Sequence, residues 1–406
     1  MIPVLLVLNA GSSSLKFQVF EAPESGDPSP IFKGLYEGLG GTARFAVRGA
    51  DGARLDERSW DPGEPLAHEE ALMHLVGWLR AHQGGRELAA IGHRVVHGGE
   101  SHSGAVLVNE AVLQDLAALV PLAPLHQPHN LKPIGIVQQR LPHIPQVACF
   151  DTGFHRSQPE IAQMYALPRE IRDRGVRRYG FHGLSYDYIS SVLGRYDPNL
   201  ASGRAVVAHL GNGASLCALK VGKSVATTMG FSALEGLPMG TRCGALDPGV
   251  VFYMLREMKL GAEEAERLLY TKCGLLGVSG VSNDMRALRA QAPTNPDARR
   301  AIDLFVYRIT REIGSLIAAL GGVDGLVFTA GIGENDVATR SEVLAALAWA
   351  GFRLDEDANG RGGPQVTSGP GPKAWVIPTN EELVIARQMR DVLALTPARP
   401  VEMEVV

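Results

Sequence analysis

Cysteine is scarce in this chain of 406 residues: four stand at positions 149, 217, 243 and 273, with no C-x-x-C pair and no regular spacing. A disulfide framework and a structural zinc site are both excluded on that count. Positive charge is not in excess, since 39 Lys and Arg face 43 Asp and Glu for a net charge of −4, whereas a protein that gains affinity by neutralising phosphates leans the other way. Nucleic acid is therefore not an expected partner. No apolar run approaches the roughly 18 residues of a membrane span, and the opening Met-Ile-Pro-Val-Leu-Leu-Val-Leu-Asn carries no basic n-region. The expectation is a cytoplasmic chain with no membrane partner. Glycine and proline together make 72 residues, about 18%, too few for a low-complexity chain, so disorder is excluded as the main state.

What the chain does have is glycine. Its 47 glycines are close to 12% of the residues, against a usual ~7%, and they cluster after apolar runs. The clusters are Asn9-Ala-Gly-Ser-Ser-Ser, Gly98-Gly99, Gly211-Asn-Gly, Gly321-Gly322 and Gly331-Ile-Gly-Glu-Asn. Glycine serves turns that need positive φ and backbone that must approach a ligand closely.

The length suits two or three domains. Residues 2–8 form an apolar run, a Gly/Ser turn follows, and Leu15, Phe17 and Val19 then step by two, which predicts strand, tight loop and strand. The same outline recurs at Arg204-Ala-Val-Val-Ala-His-Leu-Gly-Asn-Gly-Ala-Ser-Leu, where Ser215-Leu216 lines up with Ser14-Leu15 at an offset of 201 residues, nearly half the chain. An old duplication leaves that trace. Ile302, Phe305, Val306, Ile309, Ile313, Leu316, Ile317 and Leu320 step by three and four, a helix with one buried face that stops at Gly321-Gly322. A strand over Gly325-Leu-Val-Phe-Thr-Ala, the glycine turn at 331 and a helix through Trp349 follow. That order makes an anion cradle, because turn N–H groups and a helix N-terminus both face the ligand. A last helix is predicted over about Glu381 to Leu395, capped by Thr379 or Asn380.

Several short motifs fail on context. Gly38-Leu-Gly-Gly-Thr-Ala43 fits a dinucleotide fingerprint but runs into a strand-like alternation instead of a helix. Gly222-Lys-Ser lacks the first glycine of a P-loop, where Cys217 stands. Ser13-Ser-Leu-Lys16 has no accompanying K-T-G. His68 and His74 are six residues apart, the wrong spacing for a zinc helix, and read as solvated helix surface. Cys243, beside Arg242, reads as small loop filler.

Two arginines stand out. Arg94 lies between apolar residues in Gly92-His-Arg-Val-Val-His-Gly-Gly99, and Arg242 lies between glycines in Gly240-Thr-Arg-Cys-Gly. A guanidinium in such a setting needs an anionic partner. Together with the glycine loops and Asp151 they fit phosphate chemistry better than two unrelated salt bridges.

Asn9-Ala-Gly-Ser-Ser-Ser-Leu-Lys-Phe17, Gly92 to Gly99, Phe150-Asp-Thr-Gly-Phe-His155, Tyr179-Gly-Phe-His-Gly183, His209-Leu-Gly-Asn-Gly213, Met239-Gly-Thr-Arg242, Gly331-Ile-Gly-Glu-Asn335 and Thr379-Asn-Glu-Glu382 together resemble the acetate kinase family, in order and over nearly the whole chain. The resemblance implies an α/β fold of two duplicated actin-like, ribonuclease H-like ATPase domains with the active site in the cleft between them. Their expected extents are 1–150, with a C-terminal helix over 382–406 packing back on it, and 151–381 as the nucleotide-binding domain. It implies reversible transfer of the γ-phosphoryl group of ATP to acetate, giving acetyl phosphate and ADP, with Mg2+ or Mn2+ as cofactor, and a homodimer as the assembly.

Carried over residue by residue, Arg94 would hold the acetate, Arg242 and His182 would stabilise the equatorial oxygens, and Asp151 would orient Arg94 and metal-bound water. Asn9 and Glu381 match the metal contacts. Ser12, Ser14 and Lys16 would line one phosphate loop, and His209, Leu210, Gly211, Asn212 and Gly213 the other. Asp284, Met285 and Arg286, with Gly331, Ile332, Gly333, Glu334 and Asn335, match the stretches around the adenosine. The apolar acyl pocket would take Val96, Leu125, Phe181 and Ala233, with His126 on the substrate side. Gln127 stands where the family pattern has asparagine, and Ala233 where it has proline. The readings that compete are a propionate or butyrate kinase of the same fold, and an actin- or Hsp70-like nucleotide switch with no acyl acceptor.

Overall fold

The computed structural model describes residues 2–23, 26–61, 63–82 and 84–395. The chain divides into two compact units, the first made of residues up to Gly153 together with those from Asn380 onward, the second of Phe154–Thr379. Asp151 and Glu381, which lie at the expected domain boundaries, both belong to the first unit. The helix expected over 382–406 is described as Glu381–Leu395, and residues 396–406 lie outside the described residues.

The first unit is built on strands β1 (Ile2–Ala10), β2 (Ser14–Glu21), β3 (Ser29–Glu37), β4 (Arg44–Gly49), β5 (Arg54–Ser59), β6 (Arg86–Val95), β7 (Val106–Leu107) and β8 (Gln146–Phe150). They form one sheet in the order β5-β4-β3-β2-β1-β6-β8-β7. β1 is buried almost throughout, as an apolar run covered on both faces must be. The helix His68–Ala81 turns Ala71, Leu72, Leu75 and Trp78 into one core cluster with Phe17, Tyr36 and Phe45 of the sheet. The C-terminal helix Glu381–Leu395 lies against β1, β6 and β8. It comes so close that a Cβ at Gly92 would collide with the side chains of Met389 and Ile385, which a larger residue there would have to displace. Asn380 caps this helix, its Oδ1 accepting from Leu383 N at 3.0 Å.

The second unit holds β9 (Arg204–Leu210), β10 (Ala214–Lys220), β11 (Lys223–Thr227), β12 (Gly325–Thr329) and β13 (Lys373–Val376) in the order β11-β10-β9-β12-β13. In each unit an antiparallel hairpin pair leads into parallel strands: β3-β2-β1 then β6 and β8, and β11-β10-β9 then β12 and β13. The duplication read from sequence is thus a repeat of sheet topology. The hairpins close at Ala10–Leu15 and Leu210–Ala214. The structural offset is therefore 200 residues before the turn and 199 after it, since the first turn is one residue longer, and neither equals the 201 read from Ser14 and Ser215.

Two other expectations are corrected. His68 and His74 are not solvated: His68 is only 6% exposed, and His74 Nδ1 lies 2.7 Å from the Tyr36 hydroxyl. The apolar face of their helix continues through both positions. Gly331 to Asn335 is not a free turn before a helix, because Ala330–Asn335 is itself a short helix that starts directly after β12. Among the described residues no helix is long and apolar enough to cross a membrane.

Candidate active site

In the first unit β1, β6 and β8 run parallel, and their carboxyl ends are where side chains from separate strands converge. Asn9 is the next-to-last residue of β1, Arg94 the next-to-last of β6, and Asp151 follows β8. Arg94 grips Asp151 with two bonds, Nη2 to Oδ2 at 2.6 Å and Nε to Oδ1 at 3.1 Å, and Nη1 donates to Asn9 Oδ1 at 3.3 Å. Glu381 Oε2 stands 3.8 Å from Arg94 Nε. Three of the five guanidinium N–H groups are thereby committed, which leaves two for a ligand.

The cluster holds more negative than positive charge. Asp151 is 2% exposed and Glu381 14%. Burial, reinforced by the charges of Asp151 and Glu382, pushes the Glu381 carboxyl up to about 7 despite Arg94. For Arg94, burial works against the charge, but Asp151 and Glu381 outweigh it and keep the guanidinium more firmly charged than an ordinary arginine. Lys16 sits directly across from Asn9 in the β1–β2 pair and is exposed, as is Ser12, while Ser14 is half-buried.

The loop after β6 is fastened from below. Asn130 Oδ1 accepts from Val96 N at 2.9 Å, and the fully buried Gln127 accepts from His97 N at 3.3 Å while donating to the carbonyls of His97 and Leu116. Gln127 therefore reaches into the core. His126, half-buried, starts the helix Gln127–Arg140. Val96 is buried and Leu125 is 40% exposed.

In the second unit His182 takes a left-handed conformation, φ 58°, at the start of the helix Gly183–Tyr196. Its ring stacks on that of His209 at 4.2 Å. His182 Nδ1 is held by Ser215 Oγ and His209 Nδ1 by Ser185 Oγ, both at 2.8 Å. Gly213 brings the set together: a Cβ there would lie 3.1 Å from His182 Nε2 and 3.8 Å from Arg242 Nη2. The Arg242 loop is pinned on both sides, by Gly240 N to Asn212 O at 3.0 Å and by Leu275 N to Met239 O at 2.8 Å. Arg242 Nη1 donates to the carbonyl of Ala233 at 2.9 Å. Phe181 is buried behind His182, and its carbonyl is met by the buried His155 Nε2 at 2.9 Å. Burial raises the Cys243 thiol to about 11, so it is an inert neighbour of Arg242.

A cavity of about 690 Å³ adjoins this set, lined by Gly211, Asn212, Asp284, Met285, Arg286, Gly331, Ile332 and Asn335. Three segments far apart in sequence meet there, in a volume suited to a nucleoside. Asp284 caps the helix Met285–Gln291 and pairs with Arg286 at 2.6 Å. The Arg286 hydrogen bond is the main cause that lowers its carboxyl to about 2. Leu210 and Gly333 are buried beneath the cavity. Glu334 turns away from it: Oε1 accepts from Ala330 N at 2.8 Å and Thr379 N at 3.2 Å, and so holds Ala330 at an unfavourable φ of 64°.

Sequence reasoning missed three lining residues, Asn283, Arg289 and Asp336. Arg289 bridges Asp336 at 3.2 Å and Glu342 at 2.7 Å. It stands three residues after Arg286 on one helix, a spacing that places both on neighbouring faces and was a usable signal.

The profile of the acetokinase family matches residues 4–387. An acetate kinase of Rhodopseudomonas palustris is 51% identical over 391 residues, covering 95% of this chain and 97% of that protein. One of Clostridium botulinum is 41% identical over 403 residues, covering 96% and 99%. Among solved structures, a propionate kinase from Francisella tularensis superposes with a TM-score of 0.89 at 35% identity, covering 95% of this chain and 99% of that one. The Porphyromonas gingivalis acetate kinase does so with 0.84 at 36%, covering 96% and 100%. With the family profile matched over residues 4–387 and a relative 51% identical over 95% of its length, the chain belongs to the acetokinase family.

Proposed function

We propose that the protein transfers the γ-phosphoryl group of ATP to acetate, reversibly, in one in-line displacement that depends on Mg2+. The observation that carries this reading is the buried Arg94–Asp151–Glu381 cluster, which keeps guanidinium donors for a carboxylate and an excess of anionic oxygen for a cation. Phosphoryl transfer is mainly positioning and charge stabilisation, and two anions must be brought together. Acetate needs no general base, and Asp151 is committed to Arg94 on both oxygens, so its task is to orient that arginine. Arg94 serves the acetate, and we assign Val96, Leu125 and His126 of the same unit to its substrate side. Phe181 and Ala233, in the second unit, are the other residues we assign to the acyl group.

Arg242 and His182, set against Gly213, stabilise the equatorial oxygens of the transferring group. Ser12, Ser14 and Lys16 and the segment His209–Gly213 receive phosphates, and the 690 Å³ cavity receives the adenosine. The donors fit magnesium: Glu381 and Asn9 offer hard oxygens, as suits an ion held by one or two carboxylates, water and substrate phosphate. Glu381, raised by burial among carboxylates, is the residue that a cation relieves. When bound, the ion neutralises phosphate charge. Mn2+ fills the same role.

The reading extends to a homodimer, supported by the helix Pro248–Arg256, which has no buried residue and exposes Phe252 at 53% and Tyr253 at 59%. Light scattering at twice the 43.4 kDa of one chain tests this. We place the protein in the cytoplasm, where its nucleotide is. Ala233, smaller than the family's proline, favours a second reading in which propionate is also accepted. One methylene is worth about 1–3 kcal/mol in such a pocket. Equal or higher kcat/KM for propionate than for acetate makes this a propionate kinase, and undetectable propionate turnover removes the Ala233 argument.

Trapping the product with hydroxylamine, in the presence of ATP, Mg2+ and acetate, tests the main reading. Acyl hydroxamate supports the kinase. Inorganic phosphate alone favours a nucleotide switch instead. Inversion at a chiral γ-phosphorus supports the single displacement, and retention points to a phosphoenzyme.

A further inference from the structure

We propose that His68 is a positioning residue for the Ser12 backbone N–H, which it aims at the nucleotide phosphates by holding the Gly11 carbonyl. The proposal rests on the reading of Gly11–Ser14 as a phosphate loop. His68 opens the helix His68–Ala81, is 6% exposed, and puts Nε2 2.9 Å from Gly11 O. A carbonyl oxygen only accepts, so Nε2 carries the proton and donates. The peptide unit is planar and trans, so the Ser12 N–H points opposite to the Gly11 C=O. Pinning one end on the core side turns the other outward, on an exposed residue.

The neighbouring carbonyls are withdrawn in the same way. Asn130 Nδ2 donates to Ala10 O, Leu39 N to Ser13 O, and Gly11 N to Ser14 O, each at 2.9 Å. Four of the five carbonyls from Ala10 to Ser14 are thus occupied, and a carbonyl that swung toward a phosphate would oppose it with partial negative charge. His68 is the member of this set that buries a titratable ring to do so. Burial, with Lys132 and His129 nearby, holds its pKa below that of an ordinary histidine, and the ring donates as the neutral species. A leucine would fill the same space on the helix face but could not hold the carbonyl.

The test compares wild type, H68F and H68Q as full-length protein. Calorimetry gives the Kd of an MgATP analogue, and steady-state assays give KM for MgATP and for acetate. H68F removes the donor at similar volume, and loss of one oriented hydrogen bond predicts about a three- to tenfold rise in nucleotide Kd and KM, with acetate KM within about twofold. H68Q restores an N–H and brings the nucleotide Kd back to within about twofold of wild type. An unchanged nucleotide Kd in H68F overturns the proposal, as does a loss that spreads equally to acetate or that H68Q fails to rescue. Should H68F not fold, 15N NMR of the wild-type imidazoles decides: a protonated Nε2 on His68 that shifts on adding MgATP supports positioning, and a signal indifferent to nucleotide overturns it. If wild type makes no acyl phosphate but binds the analogue through His68, the kinase reading fails and this one stands.

Discussion

Replacing Glu381 by glutamine should stabilise the protein while disabling it. The carboxyl rises from the ordinary 4.5 to about 7 because it is buried beside Asp151 and Glu382. At 1.36 kcal/mol per pH unit this is a folding penalty on the order of 3 kcal/mol. The folded state binds the proton more tightly than the unfolded state, so stability falls as pH rises from about 4.5 to 7, and the full penalty applies above 7. Glutamine removes it and forfeits only a contact to Arg94 at 3.8 Å. A gain of that size moves Tm by roughly 6–12 °C in a unit of this length.

Three buried histidines act in the opposite sense. Burial lowers His93, His97 and His155 to about 4 each, so their contribution is lost as pH falls from about 6.5 to 4. They are the same in both proteins, and the difference between the two melting curves isolates Glu381. Melting without divalent cations should place Glu381→Gln well above wild type at pH 8, with the gap under about 1 kcal/mol at pH 5. Mg2+ should then raise Tm in wild type only. Equal stability at pH 8, or a gap that persists at pH 5, refutes the reasoning.

Arg94→Lys keeps the charge but cannot make the two-bond grip on Asp151, and should lower kcat in the hydroxamate assay about a hundredfold or more. Activity near wild type would show that the paired geometry is dispensable. Gly213→Ala places a methyl 3.1 Å from His182 Nε2, and should cost at least about tenfold in kcat with Tm little changed, since the surface turn bears little of the core. An equal loss in Tm and kcat would mean the turn is structural instead.

The duplicated topology was legible because a strand, a glycine turn and a strand recur in both halves, and hydrophobic period is a local property. The candidate site stood out for a related reason: Arg94 and Arg242 are conspicuous cations in apolar or glycine settings. What sequence could not show was the direction of side chains set by contacts across long separations. Glu334 lies in a glycine-rich stretch that reads as nucleotide-binding, yet its carboxylate is claimed by Ala330 and by Thr379, 45 residues away. Gln127 reads as a substitution in a substrate loop, and in the fold it ties His97 to Leu116. His68 reads as surface because its partner, Gly11, is 57 residues distant.

The most direct test of the central claim follows the oxygen. With 18O in both carboxylate positions of acetate, the enzyme, ATP and Mg2+ should yield acetyl phosphate whose phosphorus signal carries the isotope shift of one bridging 18O, because a carboxylate oxygen attacks the γ-phosphorus. Unlabelled phosphorus, appearing only as inorganic phosphate, would contradict it.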